Sequence, residues 1–380
     1  MTIKRLDKSH YEESLNLSMY AFQYKVPEEE KENRFRQLDD HELYGIEADD
    51  QLAAKLHLLS LNVFLGEKEF KMGGIAGVAT YPEYRRKGYV KELLTYSLKR
   101  MREKGQTISM LHPFSFAFYR KYGWELFSTL KRVKVAQAEM KMFDGVPGNV
   151  KRFNKENYPS ELEEIYNGYA RRFSGMLARE KTWWKERSIT NLNVAIYYDG
   201  KGNGAGYILY DIKDQKMKVE EFIVLNAEAR SGLWNFICQH DSMLTGVELV
   251  LSPEDPLVFL LENPKTPTEL QPYFMTRVVD VLSFLEQFRS SIKEKVSLEV
   301  SDKYAPWNNG TFTITSEKVI KEEEECSRTV QMDVNALVPL FFGVYSSQQL
   351  YEMGVIKGDR ESVAVLNKIR VKPGFFIDFF

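Results

Sequence analysis

One structural unit written twice constrains this fold most. In "GVATYPEYRRKGYVKELL" (residues 77–94) a run of small apolar residues passes through a polar turn into a leucine-rich helix. "EFIVLNAEARSGLWNFI" (221–237) repeats the plan. A strand that leads straight into an amphipathic helix buries both apolar faces when the helix lies back on a sheet. Two such units imply two mixed α+β domains of one design. The second is degenerate: Arg85-Arg86-Lys87 has become Ala229-Arg230-Ser231, and Arg230 precedes Gly232 by two residues where Arg85 precedes Gly88 by three. Chance similarity between two strand–helix units is the other reading of the pair.

The flanking pattern fills out both domains. Residues 10–22 have helical spacing, with Leu15, Leu17, Met19 and Phe22 available to one side. Residues 41–81 read as strand, turn at Asp49 and Asp50, strand, turn at Gly66 and Glu67, strand. A helix follows with Val90, Leu93, Leu94, Ser97 and Leu98 on one face and Gly105 as C-cap. Residues 107–114 read as a strand, and 116–127 as a short helix, a stop at Gly123 and a return strand. Further on, 161–175 and 180–188 are helical, and 193–212 are two strands around a Gly/Asp/Asn turn. The proline-rich stretch 262–273 marks a boundary. Beyond it the texture changes to a helix, alternating strands and two further helices. The division is 1–138, 139–275 and 276–380.

With 43% hydrophobic and 28% charged residues in a chain of 380, there is ample material for packed cores. A net charge of −2 gives no bulk attraction to nucleic acid or membrane, so an anion site must be local. Two cysteines, Cys238 and Cys326, do not make a disulfide framework and point to a reducing compartment. The N-terminus lacks an apolar leader, and no run approaches the ~20 apolar residues of a membrane span. A cytoplasmic chain is expected. "HPF", "EKTWWKER" and "KEEEECS" lack metal-ligand spacing, so no metal is expected. "KEEEE" reads as a solvated hairpin face. Neither a Ser-His-Asp nor a P-loop pattern is present.

The basic turn is built to hold a phosphate. A helix N-terminus presents unsatisfied N–H groups and the positive end of its dipole. Gly88 lets an anion approach the backbone, and Arg85, Arg86 and Lys87 add charge. Taken alone, the same residues also make an ordinary solvated turn.

The strand before the turn, the helix after it and "FAFYRKYGWEL" some thirty residues on together resemble the GNAT acyltransferases. That family carries R/Q-x-x-G-x-G/A in the turn, which cradles the pyrophosphate of acetyl-CoA. Arg85 and Gly88 match, while Val90 replaces the final small residue. From end to end the chain is similar to the Eis (enhanced intracellular survival) family of N-acetyltransferases, whose turn reads R-R-x-G with an aliphatic residue two after the glycine. The resemblance implies a catalytic GNAT domain, a degenerate GNAT-like domain and a sterol-carrier-like α/β domain. It also implies a homo-oligomer, a hexamer.

The resemblance assigns roles residue by residue. Acetyl-CoA is held by Arg86, Lys87, Gly88, Tyr89, Val90 and Lys91, mostly through backbone N–H groups. Val78, Ala79 and Thr80 polarise the thioester carbonyl, and Phe114 and Ser115 contact the cofactor. Tyr119 is the general acid for the leaving thiolate; a packed aromatic is the alternative. Tyr122 is its neighbouring competitor, packing beside Gly123. Family members end in an aromatic residue whose α-carboxylate enters the active site, which makes Phe380 the base; an apolar tail docked in a core is the alternative. His112 is expected to be structural. Tyr20, Phe22 and Tyr24 are candidate walls of the acceptor pocket, with core packing an equal account. The expected acceptor is an aminoglycoside-like polyamine, attacked directly in a ternary complex without an acyl-enzyme. A protein lysine is the alternative acceptor, and a non-catalytic CoA- or lipid-binding protein the alternative function.

Overall fold

The computed structural model describes residues 2–289, 294–322 and 329–380. Cys326 and most of the "KEEEE" run lie outside the described residues. Three sheets organise the chain, with helices packed on them, an α+β architecture. The first sheet runs Ile3–Leu6, His41–Ala48, Gln51–Leu65, Lys68–Thr80, Ile108–Leu111, Met275–Val278, Glu125–Leu126, with Ser174–Leu177 added on Gln51–Leu65. The hairpin at Asp49 and Asp50 holds both residues at positive φ (52° and 59°), the twist-matched turn that joins adjacent strands. Gln51–Leu65 is covered on both faces, as its near-continuous apolar run requires.

The second sheet runs Thr268–Pro272, Thr129–Ala136, Gly246–Leu251, Lys216–Val224, Gly204–Lys213, Asn193–Tyr198, Asn149–Phe153. Each of these two sheets has a parallel pair bridged by a helix: Lys68–Thr80 with Ile108–Leu111 through Tyr89–Glu103, and Lys216–Val224 with Gly246–Leu251 through Ala227–Cys238. The duplicated unit is therefore the crossover of each domain.

The cuts at 138 and 275 do not follow the sheets. Thr129–Ala136 comes before the first cut yet pairs with Gly246–Leu251 in the second sheet. Met275–Val278 comes at the second cut yet inserts between Ile108–Leu111 and Glu125–Leu126 of the first. The two domains exchange strands, so each completes its sheet with a segment bordering the other. Alternation tells a strand which face to bury but not which partner to take.

The third sheet runs Val319–Glu322, Gly310–Ile314, Val296–Ser301, Val330–Asp333, Ile356–Lys357. Its core is aromatic: Phe284 lies 5.8 Å from Phe288, 5.7 Å from Phe341 and 5.7 Å from Phe70 of the central strand of the first domain. One apolar cluster thus joins the third domain to the first. No helix among the described residues is long and apolar enough to cross a membrane.

Candidate active site

The central strand Lys68–Thr80 carries the site. It pairs with Ile108–Leu111 only from Met72 opposite Ile108 to Ile75 opposite Leu111. Past that register the strands part, and the backbone groups that residues 76–80 turn to that side leave the ladder. On the opposite side Lys55 opposes Ala79 while His57 opposes Ala76. The extra residue makes a bulge at Gly77 and Val78, which re-aims the end of the strand.

The strand leads into the basic turn. Arg86 takes a left-handed φ of 64° and Gly88 one of 86°. Gly88 is the N-cap of the helix Tyr89–Glu103, and no side chain caps it. A Cβ on Gly88 would meet nothing within 4 Å, so the protein leaves the turn open at that position. Arg85 and Arg86 are exposed, and among the described residues neither is engaged in an ion pair. Lys87 instead sets its ammonium 4.7 Å above the Tyr84 ring.

A cavity of about 700 Å³ opens on this turn. Val78, Ala79 and Thr80 line it, with Arg85, Arg86 and Gly88. Tyr89, Val90, Lys91 and Phe114 of the expected set line it as well. Lys87, Ser115 and Tyr119 lie outside that lining. Ser115 has a local partner. Its Oγ caps the helix Phe116–Arg120, accepting from the Phe118 N–H at 3.3 Å. Tyr119 is buried behind Phe114 and Phe118, 5.4 and 5.1 Å between ring centres. Phe22, Phe118 and Tyr122 also border the cavity. Tyr20 packs on Tyr81 instead, at 5.5 Å.

Phe380 reaches the same strand from elsewhere. The Phe380 ring lies 2.7 Å from where a Cβ on Gly74 would sit, so glycine there admits the ring. It packs against Phe274 at 5.2 Å and Phe376 at 6.1 Å. His112 sits among aromatic rings beside this tail, 5.3 Å from Tyr273 and 5.2 Å from Phe379. A second cavity of about 810 Å³ lies along the tail, between the helix Glu28–Leu38 and the second domain, with Ile377, Asp378 and Phe379 in its wall.

Residues 2–127 and 175–278 each match the family profile of the acetyltransferase (GNAT) domain, and 281–374 match the sterol carrier protein domain. The N-acetyltransferase Eis of Mycobacterium tuberculosis is 25% identical over 308 residues, covering 75% of this chain and 74% of that one. The chain carries two GNAT acetyltransferase domains and is similar to the Eis N-acetyltransferases over three quarters of its length. A crystal structure of a conserved protein of unknown function from Enterococcus faecalis, described as a probable N-acyltransferase, superposes with a TM-score of 0.92 at 28% identity, covering 100% of this chain and 99% of that one. Eis1 from Mycobacterium abscessus shares the fold, with a TM-score of 0.82 at 18% identity and full coverage of both chains.

GNAT acetyltransferases use acetyl-CoA, and the turn fits it. The open N-terminus and the exposed Arg85 and Arg86 suit its pyrophosphate. The released edge of residues 76–80 suits its amide-bearing arm. Burial raises the Tyr119 hydroxyl above its ordinary range, so it stays protonated at neutral pH. Among the described residues that hydroxyl has no hydrogen-bond partner. Behind the bulge, the buried Lys55 bonds Ser18 Oγ at 2.6 Å and His57 Nε2 at 2.8 Å. Burial pushes its ammonium down to about 7.

Three features of this region escape sequence reading. The helix Glu28–Leu38 buries none of its residues, so it has no apolar stripe to find. The Lys55–His57 pair has a spacing of two on a strand, which puts both on one face, but only tertiary packing buries them. The partners of Asp378 lie far away in sequence.

Proposed function

We propose that the chain transfers the acetyl group of acetyl-CoA directly to amines of aminoglycoside-like polyamines in a ternary complex. Acetyl-CoA supplies the acetyl group as an activated thioester. The amine nitrogen forms its bond to the carbonyl carbon as the carbon–sulfur bond breaks. The amine proton passes to the α-carboxylate of Phe380, and Tyr119 protonates the departing thiolate. The backbone of Val78, Ala79 and Thr80 stabilises the developing oxyanion.

The observation that carries the acetyl-CoA half is the uncapped helix N-terminus at Gly88 opening into a cavity of about 700 Å³. The second cavity is the candidate acceptor pocket: Glu30, Glu186 and Glu220 in its wall offer carboxylates to a polyamine beside Arg34, Arg132 and Arg187, while Glu221 and Asp378 are held by Arg179. Trp183 and Tyr273 add aromatic surface there. Carboxylates around a polyamine attract it and offset the loss of its hydration. A cytoplasmic homo-oligomer completes this reading.

The test is thiol release from acetyl-CoA with an untagged C-terminus, with and without a panel of aminoglycosides. Amine-dependent turnover that falls in Tyr119→Phe and in a variant extended by two residues after Phe380 is expected. Turnover with lysine peptides but with no aminoglycoside would move the acceptor to proteins. Failure to bind acetyl-CoA would overturn the enzymatic reading.

A further inference from the structure

We propose that Arg179, in the second GNAT domain, is a positioning residue that holds the C-terminal tail on the central strand of the first, with Asp378 as its handle. This rests on the reading that the Phe380 carboxylate takes the amine proton. Arg179 Nε donates to Asp378 Oδ1 at 2.8 Å, and Trp183 Nε1 donates to the same oxygen at 2.8 Å. The Tyr273 hydroxyl donates to the Asp378 carbonyl at 3.0 Å. The Tyr166 hydroxyl, which donates to the Leu177 carbonyl at 2.8 Å, lies 3.3 Å from Asp378 Oδ2. Two residues earlier, the Phe376 N–H donates to Ser128 Oγ at 2.9 Å.

Arg179 is itself fixed from its other side. Its two terminal nitrogens donate to Glu221 at 2.6 and 3.1 Å. Its guanidinium lies 4.0 Å from the Tyr166 ring and 4.6 Å from the Trp184 ring. Tyr207 donates a further bond to Glu221 at 2.5 Å. The side chains of Arg179 and Asp378 are 1% and 3% exposed, so both charges have left water.

A buried guanidinium between two carboxylates is a poor device for stability alone, since apolar residues of the same volume often do as well or better. It is a good device for location, because forked bonds fix direction as well as distance. The location matters here. Two residues reach at most about 7 Å, so pinning Asp378 confines the terminal carboxylate to a small volume. The Phe380 ring against Gly74 supplies the second fixed point. The second domain thus contributes to the first domain's site through the tail.

Asp378→Asn weakens the handle at nearly unchanged size, and Trp183→Phe removes one donor at a partly buried position should the first variant fold poorly. At saturating acetyl-CoA and amine, kcat per folded molecule is expected to fall tenfold or more in Asp378→Asn and severalfold in Trp183→Phe, with acetyl-CoA affinity unchanged. Release of phenylalanine by a carboxypeptidase should rise at least tenfold in Asp378→Asn at a temperature where the chain stays folded. Added to the two-residue extension, Asp378→Asn should cost no further turnover, because both act through one carboxylate. An extension that inactivates while both substitutions leave kcat and phenylalanine release unchanged would overturn the clamp alone. An extension that leaves turnover intact would overturn the terminal-carboxylate reading, and the clamp's part in turnover with it.

Discussion

The two crossover units differ at the residue that starts the helix. In the first, Gly88 sits at a left-handed φ of 86° and offers no side chain, so the helix N-terminus stays open. In the second, Asn226 Oδ1 accepts from the Ala229 N–H at 2.8 Å and closes it. The basic residues differ in the same sense. Arg85 and Arg86 are exposed, whereas Arg230 lies inside the helix and is tied to Asp255 at 3.1 Å. Gly232 is also inside the helix, where it lets the Tyr197 ring approach, and plays no part in a turn. A helix N-terminus holds an anion best while its donors are free; the Asn226 side chain takes one of them and occupies the place an anion would need.

Four substitutions break or sharpen this comparison, in descending order of effect. Tyr119→Phe removes the acid behind the open unit and should lower kcat by ~100-fold with acetyl-CoA affinity unchanged, read from thiol release. Gly88→Val forces a β-branched residue into the left-handed region and crowds the cradle, and should weaken acetyl-CoA binding about 30-fold by calorimetry. Its counterpart Gly232→Ala should leave acetyl-CoA binding alone and instead cost about 1–3 kcal/mol of stability by denaturant melting, because the new methyl overpacks Tyr197. Asn226→Ala should cost about 1 kcal/mol for the lost cap, without creating a second acetyl-CoA site.

The smallest effect concerns the pair behind the bulge. Folded Lys55 gives up its proton near 7, against 10.5 for the ordinary ammonium. Between those values the unfolded state binds more protons, so stability rises with pH across that window. Lys55→Met removes this dependence. After the lost bonds to Ser18 and His57 are set against it, the net gain should be about 1 kcal/mol at pH 7 and should shrink toward pH 10, as urea melts across that range would show.

Much of this architecture is legible in the sequence because it is written in local pattern. The strand 74–80, the turn at Gly88, the helix face of Leu93, Leu94, Ser97 and Leu98, and the stop at Gly123 all follow from periodicity and backbone preference. The exchanged strands Thr129–Ala136 and Met275–Val278 do not, because either sheet would accept a strand of that pattern and packing makes the choice. Ser115 reads as a cofactor contact by its place in the motif, and its hydroxyl is also a helix cap. Arg230 and Gly232 look like remnants of a cradle by spacing alone, and the helix that starts at Ala227 gives them other roles. Arg179 and Asp378 stand 199 residues apart and belong to no motif, so only folding brings them together.

The most direct test of the open and closed units is calorimetric titration of acetyl-CoA into the full chain. The account predicts one molecule bound per chain, with binding weakened by Gly88→Val and untouched by Gly232→Ala. Two molecules per chain, or undiminished binding in Gly88→Val, would contradict it.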